Sequence, residues 1–336
     1  MNRNISGPST HYRKREGWID WAKAIGILLV VMGHSEYSNP DVLPMIFMIH
    51  MPLFFVVSGY LFNTQKTFND ITRSNIKGLF IPYILYNLLF VVYWVALGFF
   101  KVVMGQEYSW GDCLFTPGWH FALGIASGNY DGPTWFLLAL IWCKYFTYLI
   151  HRGTLTLKVL AVAAWVILLY VRIETGVYYI YALDCACAGI IWFEVGQLLG
   201  IYKDKIHVSY FAYYVAIPIG FALCYYVMLN NGTCNYILAN VNGLCGVAGT
   251  VCGLIAFFSL CKLLERYNNP LIELVSKATI VIMCLHMMIN NPLNNLLHYW
   301  NHSFYTFSID CVMVLALSAI YPFIQKFAPA LIGGKK

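Results

Sequence analysis

Charge is the scarcest property of this chain. Only 11% of its 336 residues are Asp, Glu, Lys or Arg, whereas soluble domains carry about a quarter. Hydrophobic residues make up 60%, the mean hydropathy is +0.65, and no stretch of domain length has a soluble composition. The net charge of +6 comes from short basic clusters between apolar runs. This pattern indicates a polytopic membrane protein and argues against nucleic-acid binding.

Several common signatures are missing. The eleven cysteines form no CxxC pair, and the single CxC at Cys185 and Cys187 favours packing over metal binding. Cys113 and Cys234 are both predicted to lie on the outer side of the membrane. A disulfide between them is therefore possible, but nothing else in the sequence supports it. The first apolar run lacks a small-residue cleavage site, so it is predicted to be a retained span. There is no P-loop, Rossmann glycine run, HExxH or GxSxG.

Apolar runs long enough to cross a bilayer recur along the whole chain. A spanning helix needs about 20 apolar residues, and backbone groups in lipid must bond within the helix. The sequence therefore predicts an all-α integral membrane protein with about ten transmembrane helices. Their predicted ranges are 18–37, 43–62, 79–103, 134–151, 155–173, 184–202, 207–229, 243–263, 278–297 and 305–325.

The basic residues fix an orientation for these helices. Lysine and arginine concentrate in cytoplasmic loops, and a cytoplasmic N-terminus leaves only Lys101 and Arg172 outside. Both termini are then cytoplasmic, with 1–17 a basic segment, 18–325 the membrane domain and 326–336 a tail. The inner cations are Arg3, Arg13, Lys14, Arg15, Lys66, Arg73, Lys77, Arg152, Lys158, Lys203, Lys205, Lys262, Arg266, Lys277, Lys326, Lys335 and Lys336.

The longest predicted outer connection, 104–133, is rich in aromatic and acidic residues. Loops of this length are often functional, and aromatic rings there suit either stacking on a sugar or an interfacial belt. Its polar and aromatic residues are Glu107, Trp110, Asp112, Trp119, His120, Tyr130 and Asp131. On the inner side, 66–77 is predicted to be an amphipathic surface segment.

Ionisable residues within a span are functional candidates, and the first helix holds Lys23 and His34. Eleven residues turn a helix by about 1,100°, close to three full turns, and rise about 16 Å. Both side chains thus lie on one face at two depths, with Asp20 available as an ion-pair partner of Lys23. Spacing alone leaves two readings, interfacial anchors or a working pair in which histidine moves a proton.

The second predicted helix carries matching polar groups. His50 is expected near the depth of His34, and Ser58 and Tyr60 near that of Lys23. Pro52 breaks one backbone bond and can free a carbonyl to line a cavity. We therefore predict a cavity through the membrane, with proton chemistry at one level and anion binding at the other.

Three further ionisable residues lie in later spans. Glu194 is in the sixth, His286 in the ninth and Asp310 at the start of the tenth. Each residue taken alone is more typical of helix packing or an interface. Glu36 either orients His34 or faces water.

Five blocks resemble membrane acyltransferase family 3, in particular its fucose 4-O-acetylase-like branch. The first two are the specific ones, and the later three support them by their order. In chain order the blocks are WIDWAKAIGILLVVMGH, IHMPLFFVVSGYLF, GPTWFLLAL, FEVGQLLG and SKATIVIMCLHMMI.

The resemblance implies a membrane O-acyltransferase that moves an acyl group, usually acetyl, from cytoplasmic acyl-CoA to a glycan hydroxyl. The family's basic residue and histidine correspond to Lys23 and His34, and many members have arginine at the first position. His34 is then the expected general base and Lys23 the anion-binding charge. Substrate-binding candidates are His50, Ser58, Tyr60, Trp135, His286 and Glu194.

The expected partners are membrane lipid, acetyl-CoA as co-substrate and a glycan or lipid-linked sugar of the cell envelope, without a metal or nucleic acid. The expected location is the inner membrane. A proton-coupled transporter of a sugar or organic anion is the alternative, although the paired broken helices of transporters are not visible. A non-enzymatic subunit of an envelope complex is a third reading.

Overall fold

A computed structural model describes residues 15–35, 41–105, 109, 111, 115–125, 132–232, 243–297 and 304–334. Every regular element in these ranges is helical. The helices are α1 Gly17–Gly33, α2 Leu43–Leu61, α3 Phe68–Asn75, α4 Ile81–Val103, α5 Thr116–Leu123, α6 Trp135–Arg152, α7 Leu155–Thr175, α8 Leu183–Tyr202, α9 Tyr210–Asn231, α10 Gly243–Leu264, α11 Pro270–Lys277, α12 Thr279–Leu297 and α13 Phe304–Phe327.

Each of the ten predicted spans overlaps one of these helices. Among the described residues, eight helical segments are long and apolar enough to cross a membrane, and α11 with α12 makes a ninth if that pair, bent by 70°, is one broken span. At 17 residues, α1 is shorter than those eight. It ends at Gly33 and not at 37 as predicted, so His34 caps the helix. The predicted N-terminal segment 1–17 lies almost wholly outside the described residues, as do Lys335 and Lys336.

Helices α1 and α2 run antiparallel at the centre of the bundle. At one end Tyr60 donates a 2.6 Å hydrogen bond to Glu16. Midway, a methyl group added at Gly26 would overlap Leu53, and at the other end the nearest neighbour of Gly33 is Ile46. The sequence predicts His50 at the depth of His34. This register instead places His50 about one helical turn further towards the Glu16 end of α1.

Helix α8, the sixth predicted span, packs closely on α2. A methyl group added at Gly59 would overlap the carbonyl of Phe193, and one at Gly196 would overlap that of Val56. Small residues let membrane helices approach at backbone distance. The buried Gln197 amide, turned with its nitrogen towards them, donates to the carbonyl of Gly59 at 2.9 Å and that of Phe62 at 3.0 Å. Cys185 and Cys187 are buried in α8.

The predicted outer connection contains a helix that packs into the bundle. Tyr83 of α4 donates to the Phe121 carbonyl of α5 at 2.8 Å, and Gly124 packs against Leu138 of α6. In α5, Trp119 is 64% exposed and His120 is half-buried. The other residues singled out in this connection lie outside the described residues, and so do Glu36, Cys113 and Cys234.

Candidate active site

Lys23 and Ser58 line one cavity of about 500 Å³. It lies between α1, α2, α6 and α12. Of the two side chains predicted at the level of Lys23, Ser58 lines this cavity and Tyr60 does not. Its walls are mainly apolar, with charged groups towards the N-terminal end of α1. The lining residues are Arg15, Glu16, Ile19, Asp20, Lys23, Phe54, Val57, Ser58, Leu61, Leu79, Phe136, Leu137, Leu140, Ser276, Lys277, Thr279, Ile280, Met283 and Tyr321.

The Asp20 carboxylate in this cavity is held chiefly by Arg15. The guanidinium donates to both carboxylate oxygens at 2.6 and 2.8 Å, and Ser276 donates to one of them at 2.7 Å. Lys23 adds a weaker attraction. The predicted attraction between Asp20 and Lys23 is present, but Arg15 supplies the close contacts, because the planar fork of arginine matches a carboxylate better than a point charge does.

A second cavity connects the Lys23 cavity to a basic groove. A cavity of about 300 Å³ shares Ser58, Leu79 and Leu140 with it. That second cavity in turn shares Lys66 with an open groove on α3 and the π-helical turn after it. The groove is lined by Lys66, Asp70, Arg73, Ser74 and Lys77. It carries three cations and one carboxylate, an electrostatic setting suited to an anionic ligand.

Three histidines form a second polar level, which we call the histidine layer: His34, His50 and His286. The His34 and His286 rings lie 5.3 Å apart, and His50 is close enough for its charge to interact with both. His50 is 4% and His286 0% exposed, whereas His34 is only partly buried.

Backbone contacts orient the two buried rings. The Nδ1 atoms of His50 and His286 lie 2.8 and 3.0 Å from the carbonyls of Ile46 and Ile282. Since a carbonyl only accepts, each Nδ1 carries the proton when the ring is neutral. Nε2 of His286 is buried and has no hydrogen-bond partner among the described residues. That nitrogen is left as an acceptor for a hydroxyl or a second proton.

Two amides on α12, of which Asn290 is buried, clamp the end of α1 beside His34. Asn290 donates to the Val31 carbonyl at 3.4 Å and to Ser35 at 3.2 Å, and Asn294 donates to the His34 carbonyl at 3.4 Å. The Val31 carbonyl also accepts from the His34 N–H at 3.1 Å and from the Ser35 hydroxyl at 2.9 Å. Sequence reasoning missed both asparagines, although positions four and eight after His286 share its helix face.

Asp310 also belongs to this clamp. Ser35 donates to its carboxylate at 2.8 Å, and Asp310 is 1% exposed. The sequence predicts a role in helix packing or at an interface for Asp310. In the structure its hydrogen-bond partner, Ser35, is the residue after His34. It therefore ties α13 to the end of α1.

The other predicted site residues lie elsewhere. Tyr60 bonds Glu16 beside the Lys23 cavity without lining it. Glu194 accepts from Thr147 at 2.5 Å and lies 3.1 Å from His151, between α6 and α8. Trp135 is buried at the start of α6 and packs on Phe136. None of the three joins the histidine layer in the described contacts.

The Lys23 cavity covers part of the predicted passage through the membrane, and among the described residues none of the three histidines lines it. Going towards the histidine layer, the Lys23 cavity ends at Phe54 of α2 and Met283 of α12. His50 and His286 follow within one helical turn of these residues. Within the described residues no group of three or more His, Cys, Asp or Glu could hold a metal.

Comparison with known proteins points to one family. A model of the acyltransferase domain of acyltransferase family 3 matches residues 16–322. Searches of curated proteins and of solved structures gave no significant match. The match covers the cavity, the basic groove and the histidine layer, and it favours an acyltransferase over a transporter. With its apolar helices, this chain is a multi-pass membrane protein that belongs to acyltransferase family 3.

Proposed function

We propose that the chain is an O-acyltransferase of the inner membrane that uses cytoplasmic acyl-CoA, with acetyl as the favoured group. The acceptor is a hydroxyl of an extracytoplasmic or lipid-linked glycan of the cell envelope. The observation that carries this proposal is that a basic groove, the Lys23 cavity and the histidine layer follow one another in space in a member of this family. The fucose 4-O-acetylase-like branch is part of the proposal.

The proposed topology has ten spans with both termini in the cytoplasm. The eight apolar helices and the broken pair α11–α12 supply nine, and the buried central helix α1 supplies the tenth. The basic residues of α3 and the turn after it then lie on the cytoplasmic side, where the loops of membrane proteins carry an excess of lysine and arginine. The acyl donor would enter from that side.

The donor fits the three connected concavities in chemical terms. The phosphates of CoA are anions, which the cations of the groove attract. Its thin pantetheine arm would cross the second cavity and reach Lys23 and Ser58. Lys23 would then bind an anionic or carbonyl oxygen of the donor as a point charge.

His34 is the proposed general base. Its imidazole takes the proton of the acceptor hydroxyl as that oxygen attacks the thioester carbonyl. The C–S bond breaks, the new C–O bond forms, and the imidazolium returns its proton to the CoA thiolate. The His286 ring lies beside that of His34, and its Nε2 has no hydrogen-bond partner among the described residues. This nitrogen would hold the acceptor hydroxyl.

His34→Ala tests the proposal. Purified protein in detergent would receive acetyl-CoA with a defined mixture of fucose, galactose, glucose and N-acetylglucosamine, and both free CoA and acetylated sugar would be measured. Loss of the general base should lower the rate about 10²- to 10⁴-fold. His207→Ala is the matched control, because His207 is exposed and outside the site.

Equal rates for wild type and His34→Ala would overturn the proposed role of His34. If wild-type protein released no CoA while vesicles containing it accumulated a sugar, the acyltransferase proposal would fail in favour of transport.

A further inference from the structure

The cavity that holds Lys23 stops at two apolar side chains directly below the histidine layer. Phe54 is the lining residue of α2 nearest to His50, and Met283 is the lining residue of α12 nearest to His286. The two members of each pair are four and three positions apart, a rise of about 6 and about 4.5 Å along the respective helix. The acyl group remains attached to the CoA sulfur until transfer. An acyl thioester that extends from the cavity to His34 must therefore pass Phe54 and Met283.

Phe54 is held rigidly at this point. Its ring lies where α1 has no side chain, because a methyl group at Gly26 would meet the ring carbon Cζ at 3.1 Å. The Phe136 ring packs edge-on with centroids 6.1 Å apart. Phe54 is 6% exposed, so little space remains between it and its neighbours on α1 and α6.

Met283 is the adaptable half of the pair. It is 5% exposed, and an unbranched side chain with three rotatable bonds can move aside for a small group. Phe54 lines the same cavity with a closely packed aromatic ring, so we expect the opening that Met283 can provide to be narrow. The space at this end of the cavity thus depends on one rigid residue and one flexible residue.

We propose that Phe54 and Met283 are the specificity-determining residues for the acyl group and restrict transfer to short chains. This inference rests on the proposed function. The transfer itself stays balanced: the C–S bond of the thioester breaks, the C–O bond of the ester forms, and the hydroxyl proton ends on the CoA sulfur. Each methylene added beyond acetyl must fit between the two side chains, and a single methylene changes selectivity about 10- to 200-fold in an apolar pocket.

The test measures kcat/KM for acetyl-, propionyl-, butyryl- and hexanoyl-CoA with the purified full chain and the same four sugars. Met283→Ala should raise kcat/KM for butyryl-CoA relative to acetyl-CoA at least about tenfold. Met283→Val removes less volume and should admit propionyl-CoA but not hexanoyl-CoA. Met228→Ala is the matched control, a buried methionine of α9 outside the cavity, and should keep the wild-type ratio.

An unchanged chain-length ratio in folded Met283→Ala or Met283→Val would overturn the inference while leaving acetyl transfer in place. If Met283→Ala does not fold, Met283→Val decides alone. Absence of histidine-dependent acetyl transfer in wild-type protein would instead overturn the proposed function, so the two failures are distinguishable.

Discussion

At the residue scale, two side chains of α1 lie in different environments. Lys23 lines a cavity with Ser58, and His34 faces His286 at 5.3 Å beyond the end of that cavity. Each has a neighbour suited to a separate task, anion binding for the lysine and proton transfer for the histidine. Both environments argue for a working pair and against two interfacial anchors.

Replacing Lys23 by alanine should chiefly weaken binding of the acyl donor. A hydrogen bond to a charged group contributes about 1.5–3 kcal/mol, so KM for acetyl-CoA should rise about 10- to 100-fold with kcat nearly unchanged. Lys23→Arg should restore much of the affinity, because arginine keeps the charge. Steady-state kinetics at several acetyl-CoA concentrations would measure this, with Lys101→Ala as the control cation outside the cavity. An unchanged KM in Lys23→Ala would remove the proposed anion-binding role.

At the element scale, the bundle depends on close helix pairs around α1 and α2. Glycines of α2 and α8 allow backbone contact, and Asn290 of α12 and Asp310 of α13 fix the end of α1. Helix α7 is peripheral, with only 6% of its span buried. The site is therefore built on the packed half of the bundle.

Gly196→Ala should separate α8 from α2. The new methyl group would overlap the Val56 carbonyl, and such overpacking usually costs about 1–3 kcal/mol. Thermal unfolding in detergent should show a lower Tm than wild type. Gly118→Ala in α5 is the control, because a methyl group there meets nothing within 4 Å; equal Tm values for the two variants would contradict the close packing of α2 and α8.

Glu16, just before α1, should make stability depend on pH. Burial alone would raise the pKa of Glu16, but hydrogen bonds from Tyr60, Trp18 and Lys203 outweigh burial and hold the pKa below the usual 4.5. A carboxyl with a lowered folded-state pKa stabilises the fold above its unfolded-state pKa, and this contribution is lost as the pH falls through the folded-state value. Wild-type Tm should therefore drop below about pH 4.5.

Glu16→Gln should remove this part of the acid sensitivity, measured as Tm against pH from neutral to acid. Glu174→Gln changes an exposed carboxyl at the end of α7 and serves as the control. A Glu16→Gln profile parallel to that of wild type would show that the Glu16 contacts do not contribute.

At the scale of the whole molecule, the basic groove lies at one end of a series of concavities that leads to Lys23. It lies on α3 and the turn that follows, away from the histidine layer. Attraction between its cations and phosphates would be long-ranged and weakened by salt. Donor binding thus depends on elements distant from the proposed chemistry.

Replacing Lys66, Arg73 and Lys77 together by alanine should raise KM for acetyl-CoA and flatten its dependence on salt. Wild-type protein should prefer acetyl-CoA to acetyl-dephospho-CoA, which lacks the 3′-phosphate, and the triple variant should lose that preference. Kinetics from low to about 0.5 M salt would compare them. A matched triple replacement of Lys158, Lys205 and Arg266 should behave like wild type, and equal effects of both triples would rule out a specific phosphate site.

The sequence by itself determined the helical membrane class, the ten apolar segments and the family, because hydropathy and short motifs are local properties of the chain. It also placed Lys23 and His34 on one helix face, since helical geometry fixes spacing. Contacts between distant segments decided the rest. Only packing gave Asp20 to Arg15 and Ser276, brought His286, Asn290 and Asp310 to the end of α1, and ended the cavity at Phe54 and Met283. These outcomes depend on which helices are neighbours and how closely their backbones approach, which no single segment encodes.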